Sequence, residues 1–283
     1  MKTAAVLWCR NDDYKEDDRI IVCLNSMIET FDEVWYIDWN SPDEKGSLFW
    51  KVKDRILKQG KLKHIVIPPD IAKILCPYPD ASVMNGLLPP NLVFRRTDAD
   101  WIVTTTMDVI APNKETFNKF LSTANKNTFY TLSRRDIEIK KLEEFGFNKW
   151  KEYRDILDKT TEERHLYAKV TPNDNYSIIN CCGDFQLASR EVWNNIKGFE
   201  EQMVYACFND TNVQKKAVLN GYNLAAVFDV PLYHMSHKGM GNDGSSPSKQ
   251  VYNSAWDWVE WFTESQNTED WGLNGVKIEF EIF

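Results

Sequence analysis

The sequence contains no G-x-S-x-G elbow or comparable turn around a serine or cysteine, which argues against a hydrolase built on nucleophile, base and oxyanion hole. It has no G-x-G-x-x-G fingerprint and no phosphate-loop motif, so a dehydrogenase and a P-loop kinase fit poorly. No apolar run approaches the roughly 20 residues of a membrane span. The N-terminal stretch MKTAAVLWCRNDD turns charged too early for a secretory signal and reads instead as a first strand. The net charge of -8 argues against a nucleic-acid binder, which would carry a basic patch. The six cysteines show no metal-site spacing, and Cys181 and Cys182 are neighbours, a poor geometry for a mutual disulfide. Reduced, mostly buried thiols in a cytoplasmic protein are the expectation. There is no internal repeat and no convincing linker.

What is present is an ordinary globular composition, 43% hydrophobic and 27% charged, over 283 residues. The first third alternates strand and helix patterns. Ala4 to Trp8 is a continuous apolar run, as in a strand buried on both faces. Ile20 to Thr30 carries helical spacing, Glu33 to Ile37 is a second strand, and Leu48 to Lys58 a plausible helix. His64 to Ile67 is a third strand, halted by Pro68-Pro69. Such a series predicts a parallel sheet with helices on both faces. The stretch 70–90 reads as irregular, with four prolines. Asn91 to Thr97 then reads as a helix feeding a strand over Trp101 to Thr106. Later, Lys114 to Leu121 and Asp210 to Asn220 read as helices, and Thr128 to Leu132 and Leu224 to Phe228 as strands. The charged stretch from Asp136 to Lys159 reads as a solvated helical excursion with one apolar stripe, or as a partner-binding helix. The tail ends in an alternating KIEFEIF strand.

Open α/β sheets place ligands beyond the C-terminal ends of their strands. Three acidic residues fall at such places: Asp38, Asp108 and Asp184. The helix opening at Asp210 is expected to meet them, and two histidines, His234 and His237, follow a late strand. An aspartate there can hold Mg²⁺ or Mn²⁺ through oxygen. Each residue also has a plain structural reading. Asp108 and Asp184 can cap the turn that follows, and Asp210 can be the N-cap of its helix. His234 can be a satisfied structural histidine, and the tryptophans at 256, 258, 261 and 271 can be core or sugar-stacking surfaces.

Four blocks resemble the family 2 glycosyltransferases of GT-A fold. VLWCRND looks like the family's opening strand and "P-x-Y/R-N" loop, with Asn11 at the Asn. FDEVWYIDWNS is similar to "EVIVVDDGS", with Asp38 at the first Asp. NLVFRRTDADWIVTTTMD resembles "N-x-G-x-R-x-A-x-G-D-Y-I…D-x-D", with Asn91, Arg95 and Asp100-Trp101 in register. CGDFQLASREVWNNIKGFEEQMVYACFNDTNVQKKAVLNGY looks like "G-x-x-x-x-x-R-x-x-W-x-x-I-G-G-F-D-E…E-D-T-D-L…G". The resemblance covers residues 3 to 240 in the family's order.

It implies a GT-A α/β fold with a mostly parallel central sheet flanked by helices. A catalytic domain over 1–238 would be followed by a loop and extension over 239–283 packed on it. It implies an inverting transferase that moves a sugar from a nucleoside diphosphate sugar, a UDP-sugar by preference, to a glycan hydroxyl. Arg10, Asn11 and Asp38 would contact the nucleotide base, while Arg95, Asp184 and Lys238 would complete the donor site. Asp108 would hold Mn²⁺ or Mg²⁺ against the diphosphate, with His234 or His237 as a further metal or phosphate ligand. Asp210 would be the general base. The Gly/Ser-rich loop 238–249 would order over the diphosphate. The chain departs from the pattern in three places. Thr106 replaces the first Asp of D-x-D, Asn209 replaces the Glu before Asp210, and Asn212 replaces the Asp after it. Thr106, Asn209 and the tryptophan-rich tail leave one rival reading, a carbohydrate-binding protein descended from a transferase; a second rival, another enzyme on a similar sheet, is a sugar-phosphate nucleotidyltransferase, for which the N-terminal loop lacks the glycines.

Overall fold

The fold is described from a computed structural model, over residues 1–11, 17–76, 88–160, 178–179, 183–201, 209–236 and 267–283. Its strands are β1 (Thr3–Cys9), β2 (Glu33–Trp39), β3 (Leu62–Ile67), β4 (Trp101–Thr105), β5 (Val109–Ile110), β6 (Thr128–Leu132), β7 (Arg135–Glu138), β8 (Phe185–Ser189), β9 (Asn223–Val227), β10 (Tyr233–Ser236) and β11 (Glu281–Ile282). Eight of them form one sheet in the order β11-β3-β2-β1-β4-β8-β6-β9, and β5-β10-β7 form a second, smaller sheet. Strands β3, β2, β1 and β4 are parallel. β8 runs antiparallel between β4 and β6, β9 is parallel to β6, and β11 closes the β3 edge antiparallel.

The continuous apolar run of β1 is explained by burial on both faces. Ala5 and Leu7 pack with Tyr36, Val103 and the helix α1 (Asp17–Thr30), through its Ile20, Leu24 and Met27. Ala4 and Val6, one pleat over, pack with Trp35, Ile37 and Ile102 on the other face. That second face is covered by α4 (Leu88–Phe94), α8 (Arg190–Asn195) and α9 (Asn209–Leu219). The period-two alternation of a strand thus feeds two cores. Trp193 of α8 stacks on Phe94 of α4 with ring centroids 4.3 Å apart. Its indole N–H donates to the Ile102 carbonyl at 3.1 Å.

Several elements differ from the sequence expectation. The helix after β2 is only α2 (Leu48–Val52), followed by a 3₁₀ turn over Lys53–Arg55. Past that turn Asn25 of α1 holds the chain: its Oδ1 accepts the Leu57 N–H at 2.8 Å and its Nδ2 donates to the Arg55 carbonyl at 3.1 Å. The proline-rich stretch is not all irregular. Pro69 opens α3 (Pro69–Leu75), and Pro89 and Pro90 lie in the first turn of α4. Proline fits there because the first helical N–H groups have no intrahelical partner. The charged excursion starts as strand β7 before becoming α6 (Ile139–Phe145) and α7 (Trp150–Leu157), and His234 lies inside strand β10 rather than in a loop. The remaining helix, α5 (Lys114–Leu121), matches its expected bounds. Of the KIEFEIF tail only Glu281 and Ile282 form a strand.

Asn91, fully buried on α4, clamps two distant segments. Its side-chain amide donates to the Phe199 carbonyl at 2.9 Å and to Glu201 at 3.0 Å, and its Oδ1 accepts the Phe199 N–H at 2.8 Å. Gly272 lies against the Asn91 backbone, and Trp271 is buried beside it. The described part of the C-terminal segment thus packs on the same body as the sheet. Cys9, Cys23 and Cys76 are free thiols. No described helix is long and apolar enough to cross a membrane.

His64 of β3 is buried in an aromatic box. It stacks on Tyr36 at 5.3 Å, lies 4.4 Å from Phe49, and approaches the Ser47 hydroxyl at 3.2 Å. Burial pushes its imidazole down to about 4. The folded state therefore refuses a proton that the unfolded chain takes up near 6.5, so stability is lost as pH falls from about 6.5 through 4. Urea titrations at about pH 7 and about pH 4 are expected to show His64→Phe losing less stability than wild type, by on the order of 2–3 kcal/mol.

Candidate functional site

The two sheets meet at the C-terminal edge of β4, and the backbone does most of the assembling. β4 ends at Thr105 and β5 begins at Val109, so Asp108 sits in the turn between the sheets. In the small sheet His234 is registered opposite Val109 on one side and Asp136 on the other. The Met235 N–H donates to the Asp108 carbonyl at 2.7 Å. Asp108, His234 and Asp136 are consequently set side by side by strand pairing. Because β8 runs antiparallel to β4, with Phe185 opposite Thr105, Asp184 arrives at this same edge just before its strand.

The side chains form one connected network. Thr106 donates its hydroxyl to Asp108 Oδ1 at 2.5 Å, and Asp108 Oδ2 lies 3.2 Å from His234 Nε2. His234 Nδ1 lies 2.7 Å from Asp136 Oδ1. The same carboxylate oxygen faces Arg134 Nε at 3.2 Å, and Arg134 Nη1 closes on Asp184 Oδ2. The Arg134 side chain is 6% exposed, so this guanidinium is held between two carboxylates away from bulk water. Beside it, Asp210 leans on the backbone of Gly183, where an added Cβ would stand 2.5 Å from Asp210 Cβ.

Asp210 opens α9 one residue after Asn209, and its Oδ1 accepts the Thr211 N–H at 2.9 Å. Gln186 of β8 donates to its carbonyl at 3.2 Å, which ties the helix start to the sheet. Burial pushes the Asp210 carboxyl above its ordinary value, against the pull of the Thr211, Asp210 and Gly183 N–H groups. A carboxylate whose affinity for a proton is raised in this way is, when ionised, a better proton acceptor.

The β1 and β2 ends make a second part of the edge. Asp38 is 1% exposed within β2, and neither carboxylate oxygen completes a hydrogen bond of normal geometry. Burial raises its carboxyl, opposed by the Ser41 and Ser47 hydroxyls and nearby N–H groups. Asn11 fixes the neighbouring loop, with its N–H on the Ser41 hydroxyl at 2.7 Å and its amide on the Gly46 carbonyl at 2.9 Å. Arg10 Nε donates to the Asn40 carbonyl at 2.7 Å.

Arg95 lies between α4 and the N-terminal end of β4, the opposite end of that strand from Asp108, and stacks over Trp271 at 5.0 Å. Its place in the motif is met by packing against the C-terminal segment rather than by the acidic edge. His237, Lys238, the loop 238–249 and the tryptophans at 256, 258 and 261 lie outside the described residues; Trp271 is core. The sequence reading missed Arg134, Asp136 and Gly183. Arg134 lies just past strand β6, where the strand-end rule that singled out Asp108 applies to it as well, and Asp136 follows inside β7.

Two donor atoms, Asp108 Oδ2 and His234 Nε2, are separated as neighbouring ligands of one small divalent ion are, about 3 Å for bonds of ~2.1 Å. Among the described residues no group of three or more His, Cys, Asp or Glu side chains is placed to hold a metal. The pair thus fits an ion that takes its other ligands from a bound substrate or water.

Overpacking a well-filled contact costs about 1–3 kcal/mol, and Gly183→Ala is expected to lower unfolding stability by that amount in urea titration while displacing Asp210.

No protein-family model and no curated protein sequence matches the chain. Solved structures do. S. aureus TarS 1-349 is 16% identical with a TM-score of 0.52, covering 83% of this chain and 60% of that one. The same protein in complex with UDP gives 15% identity and a TM-score of 0.53, covering 83% and 61%. The mannosyltransferase PcManGT from Pyrobaculum calidifontis, in complex with GDP-Man and Mn²⁺, is 13% identical with a TM-score of 0.52, covering 84% and 57%. The chain therefore spans less than two thirds of the length of each of these structures. Taken with the sheet order and the second, smaller sheet, these likenesses identify the architecture as the GT-A fold.

Proposed function

We propose that the chain is a glycosyltransferase that uses a nucleoside diphosphate sugar, a UDP-sugar by preference, and transfers the sugar with inversion to a hydroxyl of a glycan acceptor. The observation that carries this reading is the cluster of Asp108, His234, Asp136, Arg134, Asp184 and Asp210 at the C-terminal edge of the sheet. The likeness to TarS with UDP and to a mannosyltransferase with GDP-Man and Mn²⁺ supports it.

In this reading Asp210 takes the proton of the acceptor hydroxyl as that oxygen bonds to the anomeric carbon. The bond from that carbon to the diphosphate oxygen breaks on the opposite side, and its electron pair leaves with the nucleoside diphosphate. Asp184, pinned by Arg134, is placed to accept hydrogen bonds from sugar hydroxyls. Asp38, buried at the end of β2 beside the Ser41 and Ser47 hydroxyls, is assigned to the nucleotide base. Asp108 and His234 would hold a Mn²⁺ or Mg²⁺ ion, which when bound neutralises charge on the leaving diphosphate.

One observation favours a second reading, a carbohydrate-binding protein without turnover. Thr106 stands where the motif has an acid, and its hydroxyl occupies Asp108 Oδ1.

A thermal-shift panel of nucleoside diphosphates and nucleotide sugars, with and without Mn²⁺, separates the two, since a ligand of the folded state raises the melting temperature. A shift with one nucleotide family is expected, and silence across the panel from folded protein favours the binding reading. Asp210→Asn is expected to lower turnover by at least ~10²-fold while sparing donor binding; unchanged turnover retires the base assignment.

A further inference from the structure

We infer that Asp136 and Arg134 are positioning residues that hold His234 with its proton on Nδ1, leaving the Nε2 lone pair to share a divalent cation with Asp108. The inference rests on the donor-site reading above and deepens it by assigning roles to two residues outside the motif.

Both imidazole nitrogens face carboxylate oxygens: Nδ1 at 2.7 Å from Asp136, Nε2 at 3.2 Å from Asp108. A neutral imidazole has a single N–H to donate. The shorter contact has the length of a charge-assisted hydrogen bond, so the proton belongs there. Nε2 then faces Asp108 lone pair to lone pair, an opposition relieved when a cation lies between them. A metal-ligating histidine that passes its other N–H to a carboxylate is a general device for fixing tautomer and ring orientation.

The carboxylate doing so is itself held. Arg134 Nε faces the same Asp136 oxygen at 3.2 Å, and the far side of its guanidinium closes on Asp184. A planar, always-charged fork suits this bridging role, which a lysine ammonium does not reproduce. Strand register presets the arrangement, because His234 and Asp136 are directly paired between parallel strands β10 and β7. The metal side of the edge is in this way mechanically joined to Asp184.

Two measurements on the full chain test the inference. Long-range nitrogen–proton correlation spectra of the metal-free protein at neutral pH read the tautomer, with His234 assigned by its loss in His234→Gln. A proton on Nδ1 alone is expected; a proton on Nε2, or on both nitrogens, overturns the inference.

Calorimetry then reads Mn²⁺ affinity in the UDP-saturated protein. Asp136→Ala is expected to weaken Mn²⁺ by about 10–100-fold. Asp136→Asn, whose amide oxygen still accepts from Nδ1, is expected to keep most of the affinity. Equal affinity in wild type and both variants overturns the positioning role, and a wild type that takes no Mn²⁺ with UDP overturns the shared cation. Failure of wild type to bind any nucleotide brings down the donor-site reading. The tautomer spectrum, which needs no ligand and no variant of Asp136, still judges the positioning pair.

Discussion

The site depends on one strand running the wrong way. β8 enters between β4 and β6 antiparallel to both, so its N-terminal end meets their C-terminal ends. In an all-parallel sheet, residues preceding a strand lie at the edge opposite those following one. Reversal puts Gly183 and Asp184 beside Asp108 and Arg134, and brings Gln186 within reach of the helix that carries Asp210. The reversed strand is fully buried, with Trp193 of the following helix locked against Ile102 and Phe94. The packing that holds β8 in place therefore also sets the spacing of the acidic edge.

The second constraint is charge. Asp108, Asp136 and Asp184 share a small region, and like charges so close are unfavourable unless cations intervene. Arg134 supplies one, between Asp136 and Asp184, and is itself too buried to be screened much by water. His234 separates Asp136 from Asp108. An arginine that bridges two carboxylates also fixes their direction, because its donors lie in one plane. The network stabilises an arrangement useful for chemistry at the expense of desolvating several ionised groups. That trade is typical of sites rather than of cores.

Away from the edge the chain behaves as its sequence patterns dictate. Alternating apolar residues of β1 feed two cores, and Asn91 satisfies its amide by binding the 199–201 turn. Glycine is required at 198, where φ is +60° and a Cβ would lie 2.2 Å from Asn91 Oδ1. The motif position of Asn91 thus has a packing reason here. Arg95, in the same motif, has gone to stack on Trp271, so two residues of one block serve the scaffold.

Much of this was determined by the sequence itself. Periodicity marked the strands and helices that position Asp38, Asp108 and Asp210, and the strand-end rule pointed to the edge where Asp108, Asp136 and Asp184 gather, because local pattern records which faces are buried. Residues whose roles depend on distant partners were not legible. Arg134 lies just past strand β6 and so meets the strand-end rule, but that rule alone does not tell it from a surface arginine, nor Asp136 from the charged stretch it introduces. Their meaning comes from β7 pairing with β10, a contact between residues 98 apart in the chain. The hold of Asn25 on residues 55–57 and the stacking of Arg95 on Trp271 are of the same kind. Tertiary structure alone decided them, because hydrogen bonds and ring contacts between distant segments outweighed the weak local preference of each stretch.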